Sequence, residues 1–197
     1  LQDYFQLEGF AYQVVPLKTP GDALNQGRVA TDKMYDNVVN KFRWGGFDDK
    51  RVYLDENHLR MATNIRSNMA RLANALLDEG KKEKAVTVLN LTEKIFSAER
   101  VPHNYFSVFM AEAYYRAGLV DKGDDVLKDL AENNLKEVRY YASLGRKYSA
   151  LAQSEISRNL AIYREVINMA TTYKRTEILK SYDTSYENAL QKFQYLQ

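Results

Sequence analysis

The chain has 197 residues, 28 Lys and Arg against 26 Asp and Glu, a formal net charge of +2 and no cysteine. That length suits one domain or a short stack of helices, and the near balance of charge gives no whole-chain case for nucleic acid or an anionic membrane surface. The missing cysteines remove disulfides, thiolate metal sites and cysteine nucleophiles together.

No window of about 18 apolar residues occurs, and the first residues lack the basic leader of a secretion signal. The chain begins at Leu1 rather than at a methionine, which suggests a fragment or a processed product. From Lys136 onward there are 10 basic and 6 acidic residues, an excess that reads as a solvated helix face.

The first segment, YFQLEGFAYQVVPLKTP, is rich in aromatic and β-branched residues and ends on prolines, so it reads as extended with a short strand; residues 18–27 read as an exposed loop. Thr31 or Asp32 is expected to cap a helix through about Phe42, with Met34, Tyr35, Val38, Val39 and Phe42 inward. Trp44 followed by Gly45 and Gly46 breaks it. Asp55 is the expected cap of a long helix running toward Glu79. Residues 1–54 are therefore read as an N-terminal extension and residues 55–197 as a helical region, in one compact domain.

Within that region, NYFSVFMAEAYYRAGLVDKGDDVL reads as a helical hairpin. Met110, Ala113 and Tyr114 share a face with Phe106. Gly118 supplies the turn, and Val120, Gly123, Val126, Leu127 and Leu130 form the stripe of the second helix. Such a hairpin buries its face only against a neighbour, which directs attention to copies. Leu72, Ala73, Leu76, Gly80, Ala85 and Leu89 lie 38 residues before Met110, Ala111, Tyr114, Gly118, Gly123 and Leu127. A third, degenerate copy runs from Tyr141 to Tyr148 and places Leu144, Gly145 and Tyr148 at a spacing of 34. Two closing helices follow at about 154–173 and 177–196, with Ile156, Leu160, Tyr163 and Ile167, then Ile178, Tyr182, Tyr186, Leu190 and Phe193 inward.

These residues resemble the tetratricopeptide repeat: a large residue, leucine with a small residue and tyrosine in the first helix, glycine at the turn, alanine in the second. Ser107, Gly123 and the absence of closing prolines depart from the pattern. The expected fold is all-α, with tetratricopeptide-like hairpins in an α-α superhelix between an extended N-terminal segment and C-terminal capping helices.

A second resemblance rests on LEGFAYQVVP, GRVATDKMYDNVVNKFRWGG and VYLDENHLRMATNIRSNMARLANALLDEGKKEKAVTVL. These runs look like the C-terminal soluble region of a bacterial family of multi-spanning membrane proteins whose membrane part is similar to protein O-mannosyltransferases. The resemblance implies a domain on the extracytoplasmic, periplasmic side of the membrane, joined to it only through segments outside this chain. It implies no catalytic residue here.

The chemistry-bearing residues agree with that. His58 and His103 have no second ligand at i+3 or i+4, and Asp55, Glu56 and His58 crowd a helix start where capping explains them. No phosphate-binding or nucleophile-elbow motif is present. Carboxylate pairs such as Asp48 with Asp49 and Asp124 with Asp125 read as solubility charges. No catalytic residue, metal or cofactor is expected.

In the repeat reading, residues one position beyond the core stripe line a concave groove: Asn74, Asp78, Tyr105, Glu112, Tyr115, Arg116, Arg139 and Arg146. The arginines suit a carboxylate or phosphate and the tyrosines flat contact. Packing of the tyrosines between helices and pairing of the arginines with Glu112 is the plainer reading of each. The expected function is a non-catalytic interaction scaffold for a protein, a peptide or a glycan acceptor. The alternative is part of a sugar-transfer enzyme that contributes acceptor-binding residues.

Overall fold

The computed structural model describes residues 2–19, 27–144 and 151–196, with side chains to residue 191. Among the described residues there are seven α-helices and one three-stranded sheet, so the chain is mostly helical, as its periodicity predicts. It divides into two compact units, Leu1–Pro102 with Arg116–Gly118, and His103–Tyr115 with Leu119–Gln197.

In the first unit, β1 (Phe5–Leu7) pairs antiparallel with β2 (Tyr12–Val14) and parallel with β3 (Arg28–Val29). The aromatic and β-branched composition thus yields a small sheet, with Leu7 fully buried and β2 exposed along its length. Helix α1 (Thr31–Asp36) continues through a π-helical turn, Asn37–Lys41, and buries Met34 and Val38.

The predicted cap does not form. Ala30 occupies the N-cap position, because the Thr31 hydroxyl donates to the Glu79 carboxylate and Asp32 lies between Lys81 and Lys84. Those two ammonium groups hold the Asp32 carboxyl down to about 2.

Asp55 does cap α2 (Glu56–Asp78), accepting from the His58 amide at 2.8 Å. Helix α3 (Lys82–Ile95) folds back on α2, burying Met69, Leu72, Ala73, Leu76, Ala85 and Leu89. Trp44 is half-buried in an aromatic cluster, its ring 5.7 Å from both Phe10 and Phe96. Two arginines bind loop carbonyls. Arg66, only 2% exposed, donates to Val101 O at 2.6 Å and to Pro102 O at 2.7 Å. Arg100 donates to Phe47 O and Val52 O.

The second unit contains all of α4 (Ser107–Arg116) but its last residue, with α5 (Val120–Ser143), α6 (Gln153–Thr172) and α7 (Thr176–Leu196). Its core is α5 packed with α6 and α7, around Leu127, Leu130, Ile156, Tyr163, Val166 and Ile178.

The 38-residue period has a backbone counterpart. After α2 the Lys81 amide donates to Leu76 O at 2.8 Å past Gly80 at φ 75°; after α4 the Leu119 amide donates to Tyr114 O at 2.9 Å past Gly118 at φ 80°. Both are the helix-ending closure that needs a left-handed residue after the last turn. The same closure ends α6, where the Arg175 amide donates to Ala170 O and Lys174 takes the left-handed place at φ 54°.

The third copy does not begin a helix of its own. Helix α5 runs unbroken for 24 residues, so Tyr141 belongs to the helix that starts at Val120. The reason lies in its stripe, since Val126, Leu127, Leu130, Leu135, Val138 and Ala142 keep a helical period past the point where a turn would fall. Leu144 is exposed, and Gly145, Arg146 and Tyr148 lie outside the described residues. Phe106, expected on the buried face, is 38% exposed and precedes α4.

Gly123 stands where the repeat has alanine for a steric reason: a Cβ there would come within 2.6 Å of the buried Tyr115 ring. Among the described residues no helix is long and apolar enough to cross a membrane.

Candidate functional site

The residues predicted to line a groove are distributed over both units. In the first, Arg116 donates to Asn74 Oδ1 at 2.9 Å and to Asp78 Oδ1 at 2.5 Å, so its guanidinium is already engaged by two of the predicted neighbours. In the second, Tyr115 is 7% exposed, stacks on Tyr173 with centroids 4.6 Å apart and donates to Asp124 Oδ1 at 2.8 Å. Tyr115 is therefore a packing residue. Burial pushes its hydroxyl well above the ordinary tyrosine value, and the bond to Asp124 adds to this. Glu112 is half-buried on α4, Arg139 is exposed on α5, and Arg146 lies outside the described residues.

Asp124 is not a solubility charge. It accepts both bonds of a bidentate pair from Arg175, at 2.8 and 2.7 Å, in addition to the Tyr115 hydroxyl. Burial would raise its carboxyl, but Arg175 and Tyr115 outweigh this and hold it below the usual range. Asp49 likewise pairs with Arg51. At the start of α2, His58 Nδ1 lies 2.6 Å from Asp55 Oδ1 in the capping arrangement, and no group of residues suited to a metal ion occurs among the described ones.

Tyr105 lines a cavity. It borders a cleft of about 370 Å³ within the second unit, walled by the segment entering α4, by α5 and by α6. The volume lies within the range of small-ligand sites, and the lining is dominated by carboxamides. Asn134 and Asn159 are 6% and 3% exposed, Asn133 is exposed, and Asn104 is half-buried. Asparagine is rarely buried within a helix, because an unbonded buried amide is costly.

The bonds they make show how they are held. Asn134 and Glu137, three residues apart, share a face of α5. Asn134 Nδ2 donates to Leu130 O at 2.6 Å, while Asn159 Nδ2 donates to Glu137 Oε2 at 2.9 Å and to Glu155 O at 3.0 Å. Both amide protons of Asn159 are thus committed inside the unit. Asn104 is fixed through its backbone, since its amide donates to Ser107 Oγ and its carbonyl accepts from the Ser107 amide. Its Oδ1 is buried and accepts no hydrogen bond among the described residues. Arg158 stands at the rim, paired with Glu155, and Ile162 supplies apolar wall.

Sequence reasoning passed over these asparagines. Their signal was position: Asn134 lies midway between the buried Leu130 and Val138, and Asn159 midway between Ile156 and Ile162. A polar residue on an apolar stripe is a flag for either a structural network or a site. In the first unit, an open depression lined by residues 80–84 and Val86 has two of its three lysines, Lys81 and Lys84, occupied by Asp32 and Glu79. No protein-family model, curated protein or solved structure matches this chain, so the carboxamide cleft is argued from its own side chains.

Proposed function

We propose that the chain is a non-catalytic helical interaction module that captures a peptide, a protein segment or a glycan acceptor in the carboxamide cleft of its second unit. The observation that carries this reading is the pair of nearly buried asparagines, Asn134 and Asn159, lining an open polar cavity. Carboxamides hydrogen-bond without titrating at neutral pH, which suits recognition of amides and hydroxyls better than proton transfer. Tyr105 and Ile162 add surface against which the body of a ligand can pack.

The resemblance to the soluble region of mannosyltransferase-like membrane proteins gives the setting: an extracytoplasmic module attached to a larger membrane protein through segments outside this chain. Tetratricopeptide-like stacking belongs to the same proposal, supported by the repeated turn closure at Gly80 and Gly118.

A backbone-amide NMR titration with blocked tetrapeptides and with methyl α-mannopyranoside tests the reading. Shifts concentrated at residues 104–105, 133–137 and 158–162 are expected with at least one of them. They should weaken when Asn133→Ala and Arg158→Ala are combined, because both side chains are exposed and their loss leaves the core intact. Shifts confined to other surfaces, or none at all, would refute the cleft as the binding site.

A further inference from the structure

The cleft's inner wall is chemically one-sided. Asn159 has both Nδ2 protons committed to Glu137 and Glu155 O, and Asn134 has one committed to Leu130 O. The side-chain oxygens of these two residues receive no hydrogen bond among the described residues, and neither does the buried Asn104 Oδ1. These residues line one cavity from three separate segments, the α4 entry, α5 and α6, and with Asn104 Oδ1 buried from contact the Asn134 and Asn159 oxygens are the inner-wall carboxamide acceptors left for a ligand. A ligand group that bonds to these oxygens must be a donor.

Charge narrows the class. Of the charged groups at the cleft, Arg158 is paired with Glu155, whereas among the described residues Glu137 is bonded by the neutral Asn159 amide alone. Among the described residues the carboxylate of Glu137 has no cation, so the cleft favours a positively charged donor. A guanidinium presents its protons in one plane and is best met by a bidentate carboxylate; an ammonium presents three protons in a tripod. The Asn134 and Asn159 oxygens and the Glu137 carboxylate together offer three acceptors, which suit the tripod. At about 370 Å³ the cavity exceeds a bare ammonium, and Ile162 and Tyr105 provide an apolar wall for methylene groups.

From this geometry we propose that the cleft binds a primary alkylammonium, the chemistry shared by a lysine side chain and a free aliphatic amine. The carboxamide oxygens of Asn134 and Asn159 accept its protons together with the Glu137 carboxylate, which also supplies the countercharge. This rests on the reading of the cleft as the binding site and names what enters it.

The test is an NMR and calorimetric titration of the folded chain with N-acetyl-lysine methylamide, its Nε-acetylated form, the norleucine analogue, and pentylamine. The lysine compound should shift the cleft amides. Acetylation of the amine or its replacement by the norleucine methyl should weaken binding at least tenfold. Glu137→Gln should also weaken it about tenfold, while an oxygen is kept for the Asn159 bond, and added salt should weaken the wild type more than the variant. Pentylamine binding as tightly as the lysine compound assigns the affinity to the amine alone; weaker binding assigns part of it to the peptide groups, and either supports the proposal. Equal binding of the norleucine or acetylated compound would overturn the ammonium assignment while leaving the cleft a binding site. Absence of cleft shifts with the amines, when the neutral peptides or the mannoside do produce them, would overturn the assignment alone. Absence with every compound would overturn both.

Discussion

The two units treat buried polar groups differently. In the first, the buried Arg66 is held by the carbonyls of Val101 and Pro102, and Arg100 by those of Phe47 and Val52, so charged groups serve to fix irregular chain. In the second, Asn134 and Asn159 bond inward through nitrogen and leave oxygen toward a cavity. The contrast teaches that burial alone does not separate a structural polar residue from a recognition residue. What separates them is whether hydrogen-bonding capacity remains after the internal network is complete.

The sharpest way to break that comparison is Arg66→Met. It keeps apolar volume but strands two carbonyls, and a loss of about 3 to 4 kcal/mol is expected in chemical denaturation. A loss below about 1 kcal/mol would mean that water or a loop shift replaces the guanidinium easily, and that Arg66 is less structural than its burial implies.

Asp124→Asn comes next. It removes the charge from a half-buried ion pair and should cost about 2 kcal/mol. Because the native carboxyl is held low, its contribution is complete above the unfolded value of about 3.9 and is lost as pH falls through the folded value. The variant should therefore lack that part of the acid dependence, readable as a difference in melting curves between neutral and acid pH.

Gly123→Ala gains helix propensity but drives a Cβ into the Tyr115 ring, so a net loss of about 1 to 2 kcal/mol is expected. Pairing it with Tyr115→Leu should recover most of the difference in a double-mutant cycle. The smallest effect is a gain. Lys174→Gly relieves the left-handed strain at the end of α6 and should stabilise by about 0.5 to 1 kcal/mol, seen as a higher melting temperature.

Much of the helix arrangement was legible in the chain because it is carried by local signals. Asp55 caps where expected, Gly80 and Gly118 end their helices, and the two closing helices fall within a few residues of their predicted bounds. The failures came from competition over distance. Thr31 is recruited by Glu79, 48 residues away, rather than by its own helix. A weak resemblance at Tyr141 yielded to the continuing stripe of α5. The groove prediction placed Tyr115 outward because periodicity gives a face, whereas a glycine on the following helix and Asp124 turn that face into an interior.

The sequence by itself determined the helical class and the glycines that end helices, because period, glycine and capping act within one or two turns of chain. Only the tertiary structure decided that three asparagines from distant segments share a cavity with Glu137. That outcome depends on which side chain's amide protons are already engaged, and hydrogen-bond satisfaction is a property of neighbours in space rather than of residues in order.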